Sequence, residues 1–152
     1  MRYLKSCRSC MANKGMKRIS PAEPIYKGKY WRVEHIYPCK IKGWLVLLPN
    51  RHVVSIHELT NAEMSEFSRI FPKILQALHA LLKSEKEYVM QFAEGKGFNH
   101  VHFHIIAKPK NLPKKYIGPH VFGLATNKGS ISKKETIIFC NLLSKELKKR
   151  LK

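Results

Sequence analysis

The stretch Phe98-Asn-His-Val-His-Phe-His-Ile-Ile-Ala-Lys-Pro109 sets three histidines at alternate positions with apolar residues between them. Side chains alternate across a strand, so Val101, Phe103 and Ile105 are expected on one face and His100, His102 and His104 on the other. The apolar set reads as a core face beneath a helix. The imidazoles read as a row on an open face, with neighbours about 6.6–7 Å apart, close enough for two of them to touch one phosphate-bearing ligand. A lone histidine is ordinary packing, but three in register call for chemistry. Two chemistries suit the row. One is a catalytic metal on a His-x-His pair, His102 and His104, which needs a third ligand; the only local acid is Glu94. The other is attack on phosphorus by a neutral imidazole. Its second nitrogen is held by a backbone carbonyl, and a neighbouring histidine bonds the phosphoryl oxygens.

Outward from this run, YWRVEHIY (30–37), GWLVLLP (43–49) and EKEYVMQFA (85–93) have the composition of strands, with CKIKG (39–43) as a turn. Thr60 and Glu63 form a capping-box pair. Behind them Met64, Phe67, Ile70, Phe71, Ile74, Leu75, Leu78, Leu81 and Leu82 repeat at helical spacing. The spacing predicts one long helix over 60–83, kinked at Pro72. Ser132 and Glu135 form a second box, followed by Phe139, Leu142, Leu143, Leu147 and Leu151 in a C-terminal helix with a lysine-rich outer face. The turn EGKGFN (94–99) joins the last two strands, which must then be antiparallel. The expected class is α+β: an antiparallel sheet of about five strands, a long helix packed on one face, and a C-terminal helix. One domain is expected over 1–152, with 1–20 as an anchored N-terminal segment and 126–152 as a basic helical extension.

The net charge is +19, and its placement is uneven. Residues 1–30 hold eight basic residues and one acid, 108–152 hold twelve and two, and 31–107 hold nine and seven. Aspartate is absent and lysine outnumbers arginine 22 to 7. Basic flanks around a near-neutral centre attract polyanions, so nucleotides or nucleic acid are the expected partners; a lysine-biased solvated surface is the plain alternative. No apolar run reaches the roughly 18 residues of a membrane span, and the N-terminus lacks the apolar region of a signal peptide, so a cytoplasmic protein is expected. The four cysteines then read as thiols or metal ligands. Cys7 and Cys10 have zinc-knuckle spacing, or are free thiols on a basic tail; a closed site would need two distant ligands. Cys39 and Cys140 read as bystanders, and His35, His57, His79 and His120 as surface or packing residues.

His100-Val-His-Phe-His-Ile-Ile106 resembles the signature of the histidine-triad (HIT) nucleotide hydrolases and transferases. GWLVLLPNRHVVSIHELT (43–60) is similar to that family's Gly-His-x-Leu-Val-x-Pro-x-x-His segment. Cys7-Arg-Ser-Cys10 looks like the pair of its zinc-bearing members, and GPHVF (118–122) resembles a segment of a bacterial-type branch. The resemblance implies a nucleotide hydrolase or nucleotidyl transferase acting at an α-phosphate, on a dinucleoside polyphosphate or a nucleoside phosphoramidate. His102 would be the nucleophile and form a nucleotidyl-histidine; His104 would contact the phosphate oxygens, and Gln91 would bind phosphate. It further implies a structural zinc on Cys7, Cys10, His52 and His100, and a homodimer. Departures stand beside the matches. Trp44 replaces the histidine after the glycine, and EGKGFN lacks the serine or threonine before the triad. Lys96 or Asn99 is left to meet the leaving group, and Glu34 is nearest to a ribose-binding acid. Two other functions remain open: a nucleic-acid-associated protein acting on adenylated ends, and a zinc hydrolase using His102 and His104 as ligands.

Overall fold

The computed structural model describes residues 3–152. Thr60 accepts the backbone N–H of Glu63, and the Glu63 carboxylate accepts the N–H of Thr60. This reciprocal cap starts helix α2, Asn61–Leu82, which runs unbroken through Pro72. Its buried stripe, Ile70, Ile74, Ala77 and Leu78, lies on a five-stranded antiparallel sheet. The strands are β1 (Tyr26–Lys27), β2 (Trp31–His35), β3 (Trp44–Pro49), β4 (Lys86–Met90) and β5 (Phe103–Lys108), in the spatial order β1-β2-β3-β5-β4. The α+β class and the helix-on-sheet packing are as the periodicities predict.

Alternation sorts the strand residues. Trp31, Val33, Leu45, Leu47, Ile105 and Ala107 meet α2, together with Phe139, Cys140, Leu143 and Leu147 of helix α3, Lys133–Arg150. Glu66 ties α2 to the β1–β2 turn: it accepts from Tyr26 Oη, the Tyr30 N–H and the Trp31 N–H. On the other face Trp44 and Ile106 pack with Cys39, Ile41, Val121 and Leu124. That face is not open. The short helix α1 (Arg8–Asn13), the segment after it and the 3-10 turn 118–124 cover much of it, so β2 and β3 are buried along their whole length. Neither α1 nor β1 was expected, because six and two residues are too short for a periodic signal.

Two boundaries differ from the sequence reading. β4 ends at Met90, and Ala93 sits at a φ of +57°, which stops extended pairing. β5 starts at Phe103, so the connection between the strands is the twelve residues 91–102 rather than a short turn. The pair is nevertheless antiparallel, with Met90 opposite His104. Among the described residues no helix is long and apolar enough to cross a membrane.

His35, fully buried at the end of β2, is a packing residue with a fixed proton. Its Nδ1–H donates to the Ile36 carbonyl at 2.7 Å, and Nε2 accepts the Gly43 N–H at 3.0 Å. Burial pushes the imidazole down to about 4, against the smaller opposing pull of the Ile36 carbonyl. Between that value and the ordinary value of about 6.5 the unfolded chain binds the extra proton, so stability rises with pH in this window. Stability to urea should therefore change little between about pH 7 and 8 and fall as pH drops from about 6.5 towards 4, by at most about 1.4 kcal/mol per unit for one such group. A His35→Gln variant, less stable at pH 7.5, should show a shallower decline.

Candidate active site and metal centre

Four side chains from distant parts of the chain converge beside the sheet. Cys7 caps α1 and Cys10 lies in its first turn, so both thiols face the same side; the Cys10 N–H donates to Cys7 Sγ at 3.5 Å. Against them stand His100, with Nδ1 at 3.5 Å from Cys7 Sγ and 3.6 Å from Cys10 Sγ, and His52, with Nδ1 at 3.4 Å from Cys10 Sγ. All four residues are buried, and their donor atoms lie within 4.8 Å of one another. A tetrahedral zinc with bonds of about 2.3 Å to sulfur and about 2.05 Å to nitrogen separates S and N by about 3.6 Å, so the set fits the ion. The imidazole is oriented for ligation as well. His100 Nε2–H donates to the Pro49 carbonyl at 3.0 Å, leaving the Nδ1 lone pair for the thiol side. Outer contacts hold the frame. Asn13 Nδ2 donates to the Pro49 and Asn50 carbonyls at 3.0 Å each. Arg51, next to His52, forks onto Glu63 at 2.6 and 2.8 Å.

His100 is thus enclosed and not on an open row, which corrects the expectation that all three histidines share an exposed face. It lies ahead of β5, at a bend in the chain, with its ring against the thiols of α1, while the ring centroids of His102 and His104 stay 5.0 Å apart. His102 Nδ1–H donates to the His100 carbonyl at 2.7 Å, which leaves Nε2 with its lone pair. His104 has the opposite tautomer. Its Nδ1 accepts the indole N–H of Trp44 at 3.1 Å, so the proton sits on Nε2. Burial, reinforced by His102 alongside, pushes His104 down to about 4 and keeps it neutral. The pair therefore presents a lone pair next to a hydrogen-bond donor, the arrangement that attack on a phosphoryl group requires.

Both histidines line a cleft of about 880 Å³. Phe122 packs edge-on against His104 at 4.9 Å and Phe92 against Phe122 at 6.0 Å; Phe98 stands 6.4 Å from His102. Ile36, Tyr37, Val46 and Leu48 form an apolar wall, and Arg8, Lys17 and Arg18 bring positive charge to the N-terminal side. Gln91, half-buried just beyond β4, and Asn99, exposed, are not among the lining residues. Glu34 is not a surface residue. It is buried against Arg32 at 3.0 Å under the N-terminal segment, with burial raising its pKa, and it does not line the cleft. Lys96 also lies outside the lining. Among the described residues no third donor joins His102 and His104 in a ligand cluster. Phe122 and Arg8 were not singled out from sequence. The signals were available: Phe122 belongs to the GPHVF segment, and Arg8 sits between two cysteines that face away from it.

A family model described as HIT domain matches residues 18–111. The adenosine 5'-monophosphoramidase hnt1 of Schizosaccharomyces pombe is 29% identical over 72 residues, which is 45% of this chain and 50% of that protein. The chain thus matches about half the length of this curated relative. Among solved structures, a Hit-like protein of Bartonella henselae involved in cell-cycle regulation superposes with a TM-score of 0.71, 13% identity, and coverage of 96% of this chain and 99% of that one. A zinc-bound histidine triad family protein of Mycobacterium smegmatis gives 0.66, 16% identity, and coverage of 95% and 94%.

The donor set generates an expectation for metal content. Purified protein should hold about one zinc per chain, and a Cys7→Ser, Cys10→Ser double variant should lose it together with thermal stability. Elemental analysis and thermal unfolding of both proteins check this. Zinc-free wild type refutes the site, and zinc retained by the double variant moves it elsewhere.

Proposed function

The chain belongs to the HIT domain family, and we propose that it cleaves nucleotides at the α-phosphate through a nucleotidyl-histidine formed on His102. The observation that carries this reading is the 2.7 Å bond from His102 Nδ1–H to the His100 carbonyl, which leaves the Nε2 lone pair available beside the cleft. Nε2 attacks the α-phosphorus, and the bond to the leaving group breaks with its electron pair. As charge gathers on the phosphoryl oxygens, the Nε2–H of His104 donates to them. Water then attacks the phosphorus, the electron pair of the P–N bond returns to Nε2, the proton of the water passes to solvent, and a nucleoside monophosphate leaves. A neutral His104 is what this step needs, since its Nδ1 must keep accepting from Trp44.

The substrate is a dinucleoside polyphosphate or a nucleoside phosphoramidate; the second is supported by the name of the fission-yeast relative. Gln91 and Asn99, each next to a lining residue, Phe92 and Phe98, are the proposed substrate-binding polar groups, although neither lines the cleft. Cys7, Cys10, His52 and His100 would hold zinc, which supplies a closed structural cross-link and takes no part in the reaction. The twelve basic residues of 108–152 favour a second form of substrate, an adenylated nucleic-acid end, released by the same chemistry. A cytoplasmic homodimer completes the proposal.

His102→Gly should lower kcat by about three orders of magnitude or more while leaving the fold intact, because the covalent route is removed. A denaturing quench of wild type with substrate at alkaline pH, where the P–N bond survives, followed by mass spectrometry, should locate one nucleoside monophosphate on His102. Comparable kcat in the variant refutes the nucleophile.

Trp44→Phe should lower kcat by about tenfold with little change in KM, the size of one neutral hydrogen bond to a histidine used in the transition state. Trp44→His, which can donate in its place, should recover part of the loss. A KM effect alone would make Trp44 a packing residue only.

A further inference from the structure

The N-terminal segment does more than close the metal centre. Arg8 opens α1, between the two thiols in sequence but on another side of the helix, and it lines the catalytic cleft. Its position is set from three directions. Its N–H donates to the Gly97 carbonyl at 2.8 Å, its stem lies 3.4 Å from where a side chain on Gly97 would begin, and its guanidinium sits 5.3 Å from the ring centre of Phe98. Lys17 and Arg18, from the segment after α1, also line the cleft. Against these three cations the lining holds one acid, Glu94. Arg18 is paired with Glu23 outside the cleft, donates to the Ala22 carbonyl and also acts on the buried Glu34, whereas Arg8 and Lys17 take part in no ion pair among the described residues and leave their charge unneutralised. Unneutralised cations along an apolar-walled cleft focus potential on whatever occupies it.

The chemistry of departure points the same way. An amine leaving group must gain a proton, and EGKGFN, the turn before the histidines, offers no hydroxyl to give one, so that proton would have to come from elsewhere in the lining, such as Ser9 or Tyr37. A polyphosphate departs as an anion and needs positive charge instead of a proton. We infer that Arg8, Lys17 and Arg18 form a second subsite in the cleft, on the N-terminal segment, that binds the phosphates of a polyphosphate leaving group. The inference rests on the proposed reaction for the direction of departure, but the subsite is a binding site and is tested without turnover. The thiols that flank Arg8 face His100, two residues before His102. The same closure that builds the metal centre therefore fixes the subsite relative to the nucleophile.

The test uses full-length protein and two probes, a methylene-bridged diadenosine tetraphosphate and AMP, with Kd measured by calorimetry at fixed salt. Wild type should bind the tetraphosphate analogue more tightly than AMP. In an Arg8→Gln, Lys17→Gln, Arg18→Gln variant that preference should shrink, by about tenfold for each charge-assisted hydrogen bond removed. Arg8→Lys, Arg18→Lys, which keeps the charge, should retain most of it. A wild type without preference for the tetraphosphate, or a variant whose Kd ratio is unchanged, overturns the subsite. The proposed reaction would fail differently, by the absence of a nucleotide adduct on His102, whatever the Kd ratio.

Discussion

The hydrogen bond from His102 to the backbone carbonyl of His100 is the contact on which the site depends. At 2.7 Å it fixes the imidazole plane and places its proton on Nδ1. The donor is a side chain, but the acceptor is backbone, so its position is set by how residue 100 is held. That residue is held on every side. Its ring bonds the Pro49 carbonyl and faces Cys7, Cys10 and His52, and the next N–H, of Val101, bonds the Val53 carbonyl at 2.7 Å. One histidine is spent on structure so that the next has a defined tautomer.

The His104 tautomer is fixed independently, by an indole from β3. The two neighbouring rings are therefore complementary, one keeping a lone pair on Nε2 and the other a proton. A second proton on His104 would break its bond from Trp44, and burial opposes that protonation. The sheet supplies the rigidity. Its far face is sealed by α2 and α3, and its near face by the N-terminal segment and the turn 118–124, so the cleft remains as the space between those two covers.

Local patterns were the most legible part of the chain. Both capping boxes, the apolar stripe of α2, and the runs that become β2 and β3 are set by neighbours within a few residues. What the pattern could not reveal depends on closure over long sequence separations. His100 shares the alternation of His102 and His104, yet it is buried, because its partners lie 48 to 93 residues away in the chain. The grouping of Cys7 and Cys10 with His52 and His100 came from resemblance rather than spacing. Glu34 stood nearest to a ribose-binding acid, and nothing local announces that the segment before β1 folds back over Arg32 and Glu34 and takes it out of the cleft. Trp44 stood out as a departure from a motif, and its use became readable only when β3 paired with β5 and set it against His104.

The central claim, that backbone and indole fix opposite tautomers on adjacent histidines, is tested most directly by ring-nitrogen NMR of the metal-loaded protein with labelled histidine, at about pH 8, where unperturbed imidazoles are neutral. His102 should show a protonated Nδ1 and an unprotonated Nε2, His104 the reverse, and Trp44→Phe should disturb His104 alone. A proton on Nε2 of His102, or the same tautomer on both rings, would contradict it.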